Sequence, residues 1–247
     1  MQQPSKTALV TGASRGIGRA IAYQLALCGF NIALGYHNSE VEALSAAKEL
    51  SVMGVSVLPF CCDVSDSTAV AKAVSSVEEQ LGGIDLLVCN AGIAGQKLFT
   101  DITPEEWNHM FAVNVNGVYH FCHAVLPGMI RRHSGKIITI SSIWGLTGAS
   151  CEVHYSATKA AIIGMTKALA KEVGPSGIQV NCVAPGVINT DMNGALDPEA
   201  LHTLREETPL GRIGTPEDVA KCVAFLVGSG GDFITGQVLS PNGGFVI

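Results

Sequence analysis

Tyr155 and Lys159 stand four residues apart in a stretch of helical period, so their side chains share one face about one turn apart. A free phenol has a pKa of about 10, too high for ready proton exchange near neutrality, and a neighbouring ammonium favours the phenolate. Such a pair is what proton transfer to or from an oxygen requires. Ser142, at the end of the β-like run ITISS, adds a hydroxyl, and Asn114, in NVNG within a long helical stretch, adds an amide. A tyrosine and lysine at this spacing recur by chance in many chains, so the reading rests on the four residues together.

A second set of residues suits a phosphate-bearing ligand. Residues 11–18 read TGASRGIG where a first strand gives way to a first helix. Gly12, Gly16 and Gly18 permit a tight turn and a close backbone approach to a pyrophosphate, with Ser14, Arg15 and Ile17 completing the bend. The helix that follows offers unpaired N–H groups and the positive end of its dipole. The end of the second strand reads Tyr36, His37, Asn38, Ser39. It has no carboxylate to bind a ribose 2′-hydroxyl, while Arg15 offers a guanidinium to a 2′-phosphate, so NADPH is expected over NADH. Asp63 can accept from an adenine amino group or cap the next helix. Asn90, Ala91 and Gly92 form a small-residue turn where ligands of doubly wound sheets collect.

These groups need elements to position them. Short β-branched runs at 7–11, 31–36, 55–61, 84–90, 136–142, 177–183 and 237–239 read as strands. Between them, 16–27, 41–53, 67–81, 105–132, 155–173 and 216–227 have helical period. Pro104 and Pro216 suit first helical turns, with Thr103 and Thr215 as N-caps. Strands alternating with helices predict an α/β fold: a Rossmann-type doubly wound, seven-stranded parallel sheet with helices on both faces, in a single domain.

Composition excludes several classes. With 47% hydrophobic and 15% charged residues the chain is too apolar for disorder, and a net charge of −6 gives no footprint for a nucleic-acid backbone. No apolar run is long enough to span a bilayer, and residues 1–6 lack a signal-peptide pattern, so a cytoplasmic protein is expected. The eight cysteines are scattered without a CxxC pair, which predicts buried free thiols and no metal site.

TGASRGIG, CDV at 62–64, NAG at 90–92, NVNG, ISS, YSATK and APG at 184–186 stand in the order found in short-chain dehydrogenase/reductases. The chain resembles that family over essentially its whole length, and among its members it resembles bacterial 3-oxoacyl-acyl carrier protein reductases. The resemblance implies reduction of a carbonyl. Tyr155 would donate the proton, Ser142 would steady the oxygen, and Lys159 would bind the nicotinamide ribose and lower the Tyr155 pKa. Asn114 would hold a relay water. Val64, Pro185, Gly186, Ile188 and Thr190 join the cofactor contacts, and Trp144, Glu152 and His154 line the substrate pocket. Residues 1–95 would mainly bind dinucleotide and 96–247 would carry the catalytic residues, a substrate lid at about 188–212 and the contacts of a homotetramer.

Some positions depart from that pattern. The basic residues expected to meet an acidic acyl carrier protein fall at His133 and Ser176, with Arg131, Arg132 and Lys136 nearby as substitutes. Pro241 and Asn242 replace the usual acid before the paired glycines. The run SSIWGLTGASCEVHYSATK is also similar to a subgroup proposed to reduce a ketone on a modified lysine of elongation factor P, where Glu152 could meet a cationic substrate. A nucleotide-sensing protein without turnover is the non-enzymatic alternative.

Overall fold

The computed structural model describes residues 6–190 and 198–247. Seven strands among them form one parallel sheet in the order β3-β2-β1-β4-β5-β6-β7. They are β1 Thr7–Val10, β2 Asn31–Tyr36, β3 Val57–Cys61, β4 Ile84–Cys89, β5 Gly135–Ile140, β6 Ile178–Val183 and β7 Val238–Leu239. The chain is a single Rossmann-type domain, as its alternating pattern predicts. Pro59 is tolerated inside β3 because that strand lies at the sheet edge.

Period-two alternation divides the apolar side chains between the faces of the sheet. Ala8, Val10, Ile32, Leu34, Leu86 and Val88 point to one face. There they pack against α1 (Gly16–Leu27), α2 (Glu40–Ser51) and α9 (Pro216–Val227). Leu9, Ala33, Leu87 and Cys89 point to the other, toward α3 (Ser67–Leu81), α5 (Gly117–Arg132) and α7 (Val153–Val173). α4 (Pro104–Phe111) and α9 both begin with a complete capping box, built on Thr103 with Glu106 and on Thr215 with Asp218. α6 (Trp144–Thr147) and α8 (Pro198–Glu206) are short additions that hydropathy alone does not predict. The expected lid lies partly outside the described residues, at 191–197.

Two expectations need correction. The helix expected at 105–132 is interrupted, because Ala112–Asn116 forms a wide π-type turn between α4 and α5. The thiols are also not uniformly buried. Cys62, Cys89, Cys122 and Cys182 are, whereas Cys28 and Cys61 are exposed and Cys151 and Cys222 are half-buried. Cys28 follows the last turn of α1 and Cys61 ends the edge strand β3. No helix among the described residues is long and apolar enough to cross a membrane.

His133 ends α5 in the left-handed region, φ 49° and ψ 38°, a conformation that suits glycine. A side chain there costs about 1–2 kcal/mol, partly offset by the greater unfolded freedom of glycine. His133→Gly is therefore expected to raise stability by about 0.5–1 kcal/mol, or Tm by roughly 1–4 °C. A lower Tm in thermal unfolding would count against this account of the turn.

Candidate active site

The strand order reverses between β1 and β4, and the loops leaving these strands are stitched together at that point. Thr11 Oγ1 accepts from the backbone N–H of Asn90 and of Ala91, each at 3.0 Å. Asn90 Nδ2 donates to the carbonyls of Thr11 at 3.1 Å and Gly12 at 3.0 Å. Thr11 was not singled out as a site residue from sequence, although it opens the TGASRGIG run. Gly12 has φ 62°, and a Cβ at Gly18 would overlap the Gly12 carbonyl oxygen, so the bend closes only with glycine.

This end of the sheet fits a dinucleotide. α1 begins at Gly16 with no side-chain cap on its first-turn N–H groups and with exposed Arg15 as its N-cap residue. Ser14 is buried beneath the bend, and Ile17 packs on the core. Thr190 comes beside Gly16, with Cγ2 at 3.6 Å from where a glycine Cβ would stand. At the far side of the bend Tyr36 ends β2, its phenol raised by partial burial and then by the Glu40 carboxylate. His37 and Asn38 are exposed beyond it. Asp63 Oδ1 accepts from the Ser65 N–H at 2.9 Å and Oγ at 2.7 Å, which holds its carboxyl below the usual range. The cap of α3 is Asp66, so Asp63 is not a helix cap. Val64 packs over Gly117, its carbonyl 3.0 Å from His120 Nδ1.

Ser142, Tyr155 and Lys159 meet at the end of β5. Ser142 is buried, and its hydroxyl lies close enough to the Tyr155 phenol to oppose its rise. Lys159 is also buried, and its Nζ donates to the last carbonyl of β5, Ile140 O, at 2.9 Å. The ammonium stands 5.6 Å from the centroid of the Tyr155 ring. Burial pushes the phenol up to about 12, opposed by Ser142 and reinforced by Glu152. Burial also pulls Lys159 down to about 8. The lowering of the phenol expected from Lys159 is thus not what this geometry gives, since the charge faces the ring and desolvation prevails. Gly92 lines the same space, a Cβ there standing 3.5 Å from Lys159 Nζ and 3.2 Å from Asn114 Oδ1.

Asn114 is brought to the site by the π-type turn but is tied into the scaffold. Its Oδ1 accepts from the Ile93 N–H at 2.8 Å, and its Nδ2 donates to Ile93 O at 2.9 Å and Thr158 Oγ1 at 3.1 Å. The side chain therefore clamps the β4 loop to α7, and its amide is not turned to the Lys159 ammonium. Pro185 joins the catalytic loop through its carbonyl, which accepts from Ile143 N–H at 3.0 Å. Gly186 packs on Asn242, and Ile188 bridges to Gly214.

The residues expected to line a substrate pocket lie close to this group. Glu152 Oε1 accepts from Gln96 Nε2 at 3.1 Å, and Trp144 is half-buried. His154 is buried behind Gly95, with Nδ1 lacking a hydrogen-bond partner among the described residues. The substitutes for a carrier-binding patch lie elsewhere. Arg132 donates to Ile84 O at 2.6 Å and Lys136 to Val227 O at 2.9 Å and Asp232 at 3.0 Å. Ile84 begins β4 and Lys136 lies near the start of β5, at the end of the sheet opposite Tyr155. Arg132 and Lys136 add no charge to the rim of this chain's own cleft.

A doubly wound sheet carrying this serine, tyrosine and lysine beside a glycine-lined bend defines a nicotinamide-dependent oxidoreductase of the CH–OH/C=O couple. The family described as enoyl-(acyl carrier protein) reductase matches residues 12–246. The 3-oxoacyl-[acyl-carrier-protein] reductase FabG of Staphylococcus aureus is 41% identical, over 97% of this chain and 98% of that protein. The uncharacterized oxidoreductase YmfI of Bacillus subtilis is 42% identical, over 98% and 99%. A 3-oxoacyl-[acyl-carrier protein] reductase structure from Brucella melitensis superposes with TM-score 0.92 at 35% identity, covering 99% of this chain and 94% of that one. The chain belongs to the short-chain dehydrogenase/reductase family.

At neutral pH the phenol and the ammonium both carry their protons, the state that reduction of a carbonyl consumes. As pH rises through about 8 the buried Lys159 loses its charge, while Tyr155 keeps its proton until about 12. The kcat/KM for carbonyl reduction is expected to be level near neutrality and to fall above about pH 8. A profile level well beyond pH 9 would refute that role for Lys159.

Proposed function

We propose that this protein is an NADPH-dependent reductase of 3-oxoacyl thioesters. The observation that carries the reading is the Ser142–Tyr155–Lys159 group buried at the end of β5. Ser142 and Tyr155 hold the substrate carbonyl oxygen, and Tyr155 gives it a proton. Lys159 binds the nicotinamide ribose hydroxyls and supplies positive charge that steadies the phenolate left behind. Asn114 keeps the β4 loop and α7 in register. The nicotinamide, when bound, supplies the hydride. Exposed Arg15 and the acid-free run Tyr36, His37, Asn38 favour the 2′-phosphate of NADPH. The thioester substrate is supported by the similarity to 3-oxoacyl-[acyl-carrier-protein] reductases.

In this reading residues 1–95 serve mainly the dinucleotide and 96–247 the chemistry, in a cytoplasmic homotetramer that takes acyl carrier protein as a partner. Exposed Tyr119 on α5 and exposed Phe233 are consistent with contact between copies. Phe245 and Val246 are half-buried in their own chain and add little to that argument. Tyr155→Phe should retain NADPH affinity and lose about two to four orders of magnitude in ketone reduction. A variant that still turned over at the parent rate would overturn the assignment, and equal kcat/KM with NADH would overturn the cofactor preference.

One observation favours a second substrate, a ketone carrying a cation, as on a modified lysine of elongation factor P. The Glu152 carboxylate lies close enough to raise the Tyr155 phenol. Glu152→Gln should then reduce kcat/KM for an amino ketone about two- to fivefold relative to a neutral ketone, the scale of one partly solvated charge pair. An unchanged ratio would remove this reading and leave the thioester one.

A further inference from the structure

The C-terminal segment takes no part in the proton chemistry, yet it comes to rest beside it. Phe245 meets Trp144 edge-on, with ring centroids 5.9 Å apart and planes at 79°. Trp144 lies two residues beyond Ser142, and its backbone N–H donates to Ser142 Oγ at 3.2 Å. That is the hydroxyl that stands beside the Tyr155 phenol. A continuous line of contacts thus runs from Phe245 through Trp144 to the group that receives the substrate oxygen.

Asn242 folds the segment back. Its Nδ2 donates to Val246 O at 2.8 Å and to Ser240 Oγ at 2.9 Å, and its Oδ1 accepts from the Gly244 N–H at 2.7 Å. An amide offers both a donor and an acceptor, whereas an ionised carboxylate offers acceptors alone. An aspartate would keep the Gly244 bond and set a carboxylate against the Val246 carbonyl, so the replacement of the usual acid at this position has a structural consequence. Gly243 and Gly244 have φ 68° and 90°, and Cβ atoms there would press on Thr208 and Pro209. The turn is anchored on two sides. Ser240 Oγ donates to Ala184 O at 2.7 Å, next to Pro185, and the Leu210 N–H donates to Gly243 O at 3.1 Å beyond α8.

We propose that residues 242–247 form a strap that sets the substrate specificity of the site: Phe245 fixes Trp144, and the Trp144 ring is the wall against which the apolar arm of the ketone packs. The proposal rests on the carbonyl-reductase reading of the site. Phe245 and Asn242 touch neither substrate nor cofactor in it, and act as positioning residues through Trp144.

Steady-state kinetics with acetoacetyl and long-chain 3-oxoacyl thioesters test the strap in Phe245→Ala, Phe245→Tyr and Asn242→Asp. One edge-on ring contact corresponds to about a three- to tenfold effect. In Phe245→Ala the KM for the long thioester is expected to rise by that factor, with kcat, acetoacetyl KM and the NADPH dissociation constant unchanged. Phe245→Tyr should restore the parent value, and Asn242→Asp should reproduce the loss. The chain has two tryptophans, so in a Trp107→Phe background Trp144 is the sole emitter, and Phe245→Ala should shift its emission to the red. Unchanged KM values overturn the proposal, as does an equal loss for both thioesters accompanied by weaker NADPH binding. If the parent reduces neither thioester, the reductase reading fails, and the emission still decides whether Phe245 holds Trp144: no shift sinks the strap.

Discussion

The site is organised around a cation held out of water. Lys159 is buried, and its ammonium is bonded to the last carbonyl of β5, which ties α7 to the end of that strand. Ser141 adds a second tie from the other side, its Oγ donating to Lys159 O at 2.8 Å. Keeping the charge at neutrality costs roughly 3 kcal/mol relative to water, judged from the fall in its pKa from 10.5 to about 8. A fold bears such a cost where the charge has chemical use, and here it lies over the face of the one phenol in the cleft.

The surrounding loops follow from the need to hold that face of α7 in place. Asn114 spends its side-chain bonds on Ile93 and Thr158, so the β4 loop and α7 cannot move independently. This requires an inward amide in the middle of a helix, and the π-type turn at Ala112–Asn116 supplies the extra width. At the switch point Thr11 and Asn90 perform the corresponding service for the dinucleotide bend. The scaffold therefore consumes polar groups that resemble free catalytic ones when only their types are known.

That distinction marks where the sequence was legible. The strands were readable because alternate residues such as Leu9 and Val10 feed different faces of one sheet. α9 was readable to its ends because the Thr215–Asp218 box fixes it locally, whereas α3 is capped by Asp66 and not by the Asp63 that its sequence also offers. The gathering of Ser142, Tyr155 and Lys159 was also legible, since strand end and helix face dictate it. Their electrostatics were not, because spacing conveys proximity and says nothing of desolvation. The directions taken by Arg132 and Lys136 were equally hidden. Both belong to a basic run by sequence, and both turn toward carbonyls at the wrong end of the sheet.

Reaction and substrate are consequently encoded in different parts of the chain. The reaction depends on the carboxyl ends of β1, β4 and β5, elements whose positions the core fixes. In the proposed reading substrate choice would belong to segments that only abut them: Gln96 on the β4 loop, Trp144 and Glu152 flanking the serine and tyrosine, and the C-terminal turn that reaches Trp144. Changes at Gln96, Trp144 or the C-terminal turn leave the ammonium bonded to the end of β5, so one catalytic set could serve ketones of different shape. The amide at Asn242 illustrates how small such a change can be, since replacing an acid by an amide there decides whether the tail can bond to itself.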